Sequence, residues 1–488
     1  MPRVVTETPP SLARDLVILV LVAGGLFFIG LGHQQAVRTQ EVRVLETARE
    51  MKASGDLVLP HFCGEPRFQK PPLAYWLALA GFWATGDDSE SSGRLYSAAA
   101  GLGTALVLYF FLRRLGEPQV GLWTGLLLAT APLFFRAVRR AETDLLLTFC
   151  VTCSFVSFWH ALEAQRTGTG RRWLWATLAW TALGFGVLAK QSAPAYVLPS
   201  VALYLVFTRR WRGFATLLHP FGIVACLAVV APWYVGLAMR EPRLLDVLRH
   251  EAENTIEGGG HAKGPIYGFF YYYLLVWPQF APWCAALPFA VVDAVRRRGP
   301  LSFALAWAGG VFLVLHFNGN KQDHYFIPTL PALSWLAASW VTRELPRLLE
   351  PRNQRAVSLR RWLLGLMAVG SLGYVWLDPG REKGAREFAY TATPIVRDAP
   401  IYLTGGTPPR QALVQYQMRR LIPLFPEDAA RREALLAGDA PYFVIAIDTE
   451  RPKAGVSLPP VDPRLTQLLA SPEGELPLRL FRGGRDPR

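Results

Sequence analysis

Leu16-Val17-Ile18-Leu19-Val20-Leu21-Val22-Ala23-Gly24-Gly25-Leu26-Phe27-Phe28-Ile29-Gly30-Leu31 follows Arg14-Asp15 and carries no charge. Such a stretch belongs in lipid. About 20 apolar residues cross a bilayer as a helix, and only a helix satisfies its own backbone polar groups there. No A-x-A-like cleavage site follows, so the stretch reads as a retained first span rather than a signal peptide. Similar runs recur as far as Asp378. They predict a polytopic α-helical membrane protein with eleven spans, at 15–33, 93–112, 119–137, 143–163, 173–189, 192–208, 218–238, 266–292, 300–317, 324–342 and 359–377. Segment 71–84 is apolar but short and opens on Pro71-Pro72, which suits an interfacial or re-entrant helix.

Composition agrees. Of 488 residues, 51% are apolar and 18% charged, with mean hydropathy +0.22; soluble chains carry about 25% charged residues. A single soluble enzyme, a fibrous protein and a disordered chain are excluded. The net charge of +14 sits largely in short clusters between apolar runs, such as Arg296-Arg297-Arg298. Membrane topology accounts for clusters of that kind, and no nucleic-acid partner is expected. The five cysteines show no disulfide framework, and Cys150/Cys153 lack a second ligand pair for zinc.

The charges also set direction. Loops after even-numbered spans hold 17 Lys and Arg, whereas the short loops on the other side hold five: Arg136, Arg139, Arg140, Lys190 and Lys321. Basic residues resist translocation, so the N-terminus is expected in the cytoplasm of a multi-pass inner-membrane protein. The first long extracytoplasmic loop is then 34–92. An odd span count puts the tail outside as well. The sequence divides into a transmembrane domain, 1–378, and a small extracytoplasmic α/β domain, 379–488. In the tail, Ile401–Leu403 and Tyr442–Ile447 read as buried strands, with helical patterning between them.

Chemistry-bearing residues gather on the extracytoplasmic side. Val44, Leu45, Ala48 and Met51 recur at helical spacing and predict an amphipathic surface helix, preceded by Gln40, Glu41 and Arg43. Gln69-Lys70-Pro71-Pro72 places a lysine just before an apolar helix, where it suits a phosphate. Asp144 lies at the mouth of the fourth span, close to Arg139 and Arg140; an acid at that depth is costly unless paired. The loop His250–Pro265 holds Gly258-Gly259-Gly260-His261, whose spacing is not diagnostic of a metal. Lys321, His324 and Tyr325 separate spans nine and ten. Together these suggest an anionic lipid headgroup held by cations, with a carboxylate deprotonating an incoming hydroxyl.

The order Ala48-Arg49-Glu50-Met51, Ser54-Gly55-Asp56, Gly64-Glu65-Pro66, Lys70-Pro71-Pro72-Leu73 and Tyr75-Trp76 resembles the lipid A aminoarabinose transferases, relatives of the protein O-mannosyltransferases. Thr143-Asp144, Gly258–His261, Lys263-Gly264-Pro265 and Lys321–Pro328 continue the resemblance, which covers about residues 15–345. It implies a GT-C-type membrane glycosyltransferase that moves a sugar from a polyprenyl-phosphate donor, with inversion, to a lipid, glycan or protein acceptor at the outer face of the inner membrane. It implies that Lys70, helped by Tyr325 and Lys321, holds the donor phosphate. Arg43 would organise the acidic site with Asp144, with Gln40, Gln69, Arg139 and His324 around it, and His261 would match a metal-binding histidine. Two positions depart from the family pattern. Gln40 stands where an aspartate base is usual, and Gln69 replaces a glutamate beside the lysine. The base role therefore falls to Glu41 or Asp144, or the chain is a non-catalytic binder of the lipid-phosphate sugar. A divalent metal is an open alternative to cofactor-free transfer.

Overall fold

The structure, a computed structural model, describes residues 11–36, 38–257, 270–273, 277–319, 321–348, 384–405, 408–426, 428–447, 461–471 and 477–484. The chain forms two compact units. One gathers Met1–Leu31, Phe68–Leu77 and Arg94–Val375; the other gathers Gly32–Arg67, Ala78–Gly93 and Trp376–Arg488.

The first unit is helical. Its opening helix starts at Leu12 with Ser11 as N-cap, passes through a π-turn at Val20–Gly24 and ends at Phe28. Asp15 in its first turn is fully buried, paired with Arg14 and bonded at 3.1 Å by the Tyr109 hydroxyl. The last carbonyls of a helix have no intrahelical partner. Here Arg139 donates to the carbonyls of Leu26, Ile29 and Gly30 at 2.9, 2.8 and 2.5 Å, and Arg94 donates to that of Leu31 at 2.7 Å.

The helix Thr143–Thr167 ends at Gly168, whose φ of +73° gives the left-handed cap that glycine favours. It packs on Arg172–Ala189, which packs in turn on Pro220–Ala238. Ala193–Phe207 packs on Leu301–Phe317, with Gly310 pressed to Ser200. Small residues permit such close approach between helices in lipid. Phe155 stacks on Trp307 at 4.2 Å between centroids, and the Trp307 indole donates to the Pro328 carbonyl at 3.2 Å.

Eleven membrane-crossing helices is not what the described residues show. Three helices are long and apolar enough to cross: Glu90–Arg114, Thr143–Thr167 and Trp211–Ala238. A fourth counts if Pro118–Thr130 and Pro132–Val138, bent by 73°, form one span. Helix length is one cause, since Ala193–Phe207 and Leu301–Phe317 have 15 and 17 residues, and proline is another. It lacks an N–H and clashes with the preceding turn, so an apolar run need not be one helix. Pro132 follows the bend. Around Pro278 and Pro282 the run read as span eight forms 3₁₀ turns, and the helix Leu287–Arg297 follows with Pro288 in its first turn. Pro328 sits in a 3₁₀ turn, Asp323–Thr329, ahead of Leu330–Leu348. The helix Leu73–Thr85 has 13 residues and rises only about 20 Å. Segment 359–377 lies outside the described residues. The fold is a mostly helical, multi-pass membrane architecture with a small mixed sheet near its C-terminal end.

The second unit holds that sheet. Strands β1 (His61–Phe62) and β2 (Glu65–Pro66) form a hairpin turning on Cys63 and Gly64, with φ of +55° and +78°. Two positive φ values in a two-residue loop match the twist of a hairpin. Strands β3 (Ile401–Gly405), β4 (Tyr442–Ile447), β5 (Thr466–Ala470) and β6 (Leu478–Gly483) form a sheet in the order β3-β4-β6-β5. β3 and β4 are parallel and need a crossover, which the helices Pro408–Met418 and Ala429–Leu436 supply. Val444, Phe481 and Tyr442 anchor one core with Phe425 and Leu436.

The helix Thr39–Ser54 packs on Pro408–Met418. It differs from the expected surface helix, because every residue from Val44 to Met51 is buried. Three of its buried charged side chains, Glu46, Arg49 and Glu50, find partners on the same helix or the adjoining hairpin. Arg49 forms a forked pair with Glu46 at 2.9 and 2.6 Å, and Glu50 accepts the N–H groups of Cys63 and Gly64 at 2.6 and 3.0 Å.

Candidate active site

Asp144 opens one helix and Lys190 follows the next but one loop along, after Ala189. The helices Thr143–Thr167 and Arg172–Ala189 are packed neighbours running in opposite directions, so the start of one lies beside the end of the other. Lys190 Nζ donates to Asp144 Oδ1 at 2.6 Å, and both side chains are largely buried. His324 Nε2 stands 3.9 Å from Asp144 Oδ2, while His324 Nδ1 is 3.3 Å from Asp323 Oδ1. The Lys190 ammonium lies 4.3 Å from the Tyr325 ring centroid, a cation–π distance. The rings of His324 and Tyr325 meet edge to face at 4.7 Å.

A second loop adjoins this cluster. Gln191 Nε2 donates to the backbone carbonyl of Gln69 at 3.1 Å, which ties the segment carrying Lys70 to the one carrying Lys190. The side-chain carbonyl oxygen of Gln69 is buried and meets no hydrogen-bond partner among the described residues. A buried acceptor left in that state is costly, and a hydroxyl from a bound ligand would satisfy it.

Burial works against the Lys190 charge, but the facing Asp144 carboxylate more than offsets it and holds the ammonium above its ordinary value. Lys190 therefore keeps its charge at neutral pH. The site offers a fixed carboxylate, a fixed ammonium, an imidazole and a phenol, with Lys70 on the adjoining loop.

The other sequence candidates have different surroundings. Lys321 donates to the carbonyls of Leu315, His316 and Asn318 at 3.0, 2.7 and 2.8 Å, so it caps the helix Leu301–Phe317; burial lowers its pKa. Arg139 is committed to the end of the opening helix. Gln40, Glu41 and Arg43 lie on the helix Thr39–Ser54 of the second unit, where Gln40 is exposed, Glu41 buried and Arg43 half-buried. His261 lies outside the described residues. Among the described residues, no three His, Cys, Asp or Glu side chains gather as a metal site.

Sequence reading picked out Asp144, His324 and Tyr325, which the structure brings together. It counted Lys190 only as a topological charge. The available signal was a lysine directly after an apolar run, in Leu188-Ala189-Lys190-Gln191. Nothing in the sequence showed which acid would face it.

The family model described as dolichyl-phosphate-mannose-protein mannosyltransferase matches residues 18–247. An undecaprenyl phosphate-alpha-4-amino-4-deoxy-L-arabinose arabinosyl transferase of Pseudomonas aeruginosa (strain LESB58) is 31% identical over 376 residues, covering 75% of this chain and 66% of that protein. The chain is similar in sequence to these membrane glycosyltransferases. The enzyme of the same description from Edwardsiella ictaluri (strain 93-146) is 28% identical, over 69% of this chain and 60% of its own. The chain thus spans 60 to 66% of the length of these two relatives. The crystal structure of ArnT from Cupriavidus metallidurans bound to undecaprenyl phosphate superposes with a TM-score of 0.77 at 20% identity, covering 98% of this chain and 100% of that one. The archaeal oligosaccharyltransferase AglB from Archaeoglobus fulgidus reaches 0.53 at 13% identity, over 89% and 69%. At such identities the likeness shows the fold alone.

Proposed function

We propose that this protein is an inverting glycosyltransferase that moves a sugar from a polyprenyl-phosphate donor to a hydroxyl acceptor at the extracytoplasmic face of the membrane. The observation that carries this reading is the cluster of Asp144, Lys190, His324 and Tyr325 beside the Lys70 loop. In the reaction an acceptor oxygen attacks the anomeric carbon, the bond from that carbon to the phosphate oxygen breaks, and the acceptor proton passes to a carboxylate. The leaving phosphate gains charge, and fixed cations stabilise charge that develops in the transition state. Lys70 holds the phosphate, with Tyr325 beside it. Gln69 accepts from a sugar hydroxyl through its free carbonyl oxygen. Lys190 holds Asp144 in place through the 2.6 Å hydrogen bond.

The base is one of two carboxylates. Asp144 has the geometry; Glu41 stands next to Gln40, where the related family places its aspartate. Residues 1–378 carry the transfer, the N-terminus is cytoplasmic, and the segment 379–488 contributes on the outside to acceptor choice. The acceptor is a lipid, glycan or protein with a free hydroxyl. His261 is a candidate ligand for a divalent cation, and transfer measured with and without chelator tests that role.

Purified protein in lipid, given radiolabelled polyprenyl-phosphate sugars, tests the reading. Transfer lost in Glu41→Gln but kept in Asp144→Asn makes Glu41 the base, and the reverse pattern makes it Asp144. Retained donor lipid with no transfer from any donor would replace the enzyme by a binder that has lost its chemistry.

A further inference from the structure

The helix Ala193–Phe207 begins beside Lys190 and rises about 22 Å over its 15 residues. At its far end, next to the start of Leu301–Phe317 and the end of Leu287–Arg297, lies a groove of about 980 Å³. Leu203, Phe207, Val295 and Leu305 give it an apolar wall, and Phe207 and Val295 are 76% and 59% exposed. Arg209, Arg210 and Arg298 line it too.

These arginines are not equivalent. The Arg210 guanidinium lies 5.5 Å from the Tyr204 ring centroid and 3.9 Å from Glu163. Arg297, next in sequence to Arg298, is bonded to Asp293 at 2.7 Å. Arg209 and Arg298 form no ion pair among the described residues. Both also adopt positive φ, +55° and +59°. Positive φ is strained for a residue with a Cβ, and such strain persists where the surroundings fix it, often at ligand clamps. Two strained cationic positions therefore border one apolar groove, each without an ion-paired acid among the described residues.

We propose that this groove binds an anionic phospholipid, with its phosphate between Arg209 and Arg298 and an acyl chain along Leu203, Phe207 and Leu305. The paired chemistry selects the occupant. Arginine forks suit phosphate, and an acyl chain covers apolar wall that a free anion would leave wet. Basic pockets between helices at the membrane edge are sites of this kind. The site lies at the opposite end of the helix Ala193–Phe207 from Lys190 and Asp144, and stands whether or not the chain transfers sugar.

The test uses full-length protein in detergent, with dioleoylphosphatidylglycerol, dioleoylphosphatidylcholine or inorganic phosphate added, read by native mass spectrometry and by thermal melting. The expected result is one retained phosphatidylglycerol and a raised Tm, with neither effect from phosphatidylcholine. Removing two surface charges in Arg209→Gln/Arg298→Gln weakens retention about thirtyfold, at roughly fivefold per charge. Ser302→Glu is the second variant. Ser302 lines the groove in the first turn of its helix, where a carboxylate suits the helix end, so the fold survives while the phosphate is repelled. Equal retention of the two lipids, or phosphatidylglycerol binding unchanged in Ser302→Glu, overturns the proposal. So does a Tm shift reproduced in full by inorganic phosphate, which would make the groove a simple anion site.

Discussion

Lys190 and Asp144 are 46 residues apart in sequence and 2.6 Å apart in space. Lys190→Met leaves the Asp144 carboxylate buried and opposite no ammonium. Breaking one side of a buried pair costs about 3–5 kcal/mol, so the melting temperature of the purified protein is expected to fall clearly. Adding Asp144→Asn should recover part of the loss. A double-mutant cycle by thermal melting checks this, and losses that simply add would show that the two groups are not coupled.

Lys70→Ala is expected to lower sugar transfer about 100-fold or more at unchanged expression, the scale for one lost charge-stabilising donor. Tyr325→Phe keeps the ring under Lys190 and removes only the hydroxyl, so its loss should be smaller. Initial rates with labelled donor decide the matter. An unchanged rate in Lys70→Ala removes the donor-phosphate role.

Burial raises the Glu46 carboxyl to about 7, with the Arg49 guanidinium holding it back. In the unfolded chain the same group titrates near 4.5. Between those values the folded protein holds a proton that the unfolded chain has released. Stability from this group is therefore present at low pH and lost as pH rises from about 4.5 to about 7, by up to about 3 kcal/mol. Melting curves across this window should show the decline, and Glu46→Gln should flatten it. An equal slope in wild type and variant would mean that Glu46 stays ionised throughout.

Gly310→Val should separate the helices Ala193–Phe207 and Leu301–Phe317. Even a Cβ at 310 would lie 2.2 Å from Ser200 Oγ and 2.5 Å from its Cα, so backbone must move. Overpacking of this kind costs about 1–3 kcal/mol. Ser200→Gly in the same chain should relieve it in part. A melting temperature unaffected by Gly310→Val would contradict the close approach.

Much of the helical architecture could be read from apolar periodicity and flanking charge, because lipid leaves the backbone few alternatives. Where a proline falls within an apolar run, as at Pro132, Pro282 and Pro328, hydropathy continues while the helix does not, and the span count fails there. Two strands of the sheet, β3 and β4, were visible as apolar clusters. β6 was hidden by Arg479 and Arg482 among its apolar residues, and β5 by its exposure at the sheet edge. In the site, Asp144, His324 and Tyr325 stood out as polar groups at the mouths of apolar runs. Lys190 did not, since a lone lysine after a span is also what topology alone predicts. Charged residues on Thr39–Ser54 looked solvated because their partners, the hairpin N–H groups and Arg49, are invisible as a pattern.

The second unit is assembled from pieces made at very different times. The Tyr416 hydroxyl bonds the Asp88 carbonyl at 2.7 Å across 328 residues, and Arg386 and Gln417 both reach Glu90 at 2.8 Å across about 300. A growing chain therefore emerges with the Thr39–Ser54 helix and its buried Glu46, Arg49 and Glu50 long before Pro408–Met418 exists to cover them. Contacts this remote in sequence form late and slowly. During synthesis those charges stay wet, and the arrival of residues 384–418 is what lets them be sealed. The early segment therefore depends for its burial on residues made more than 300 positions later.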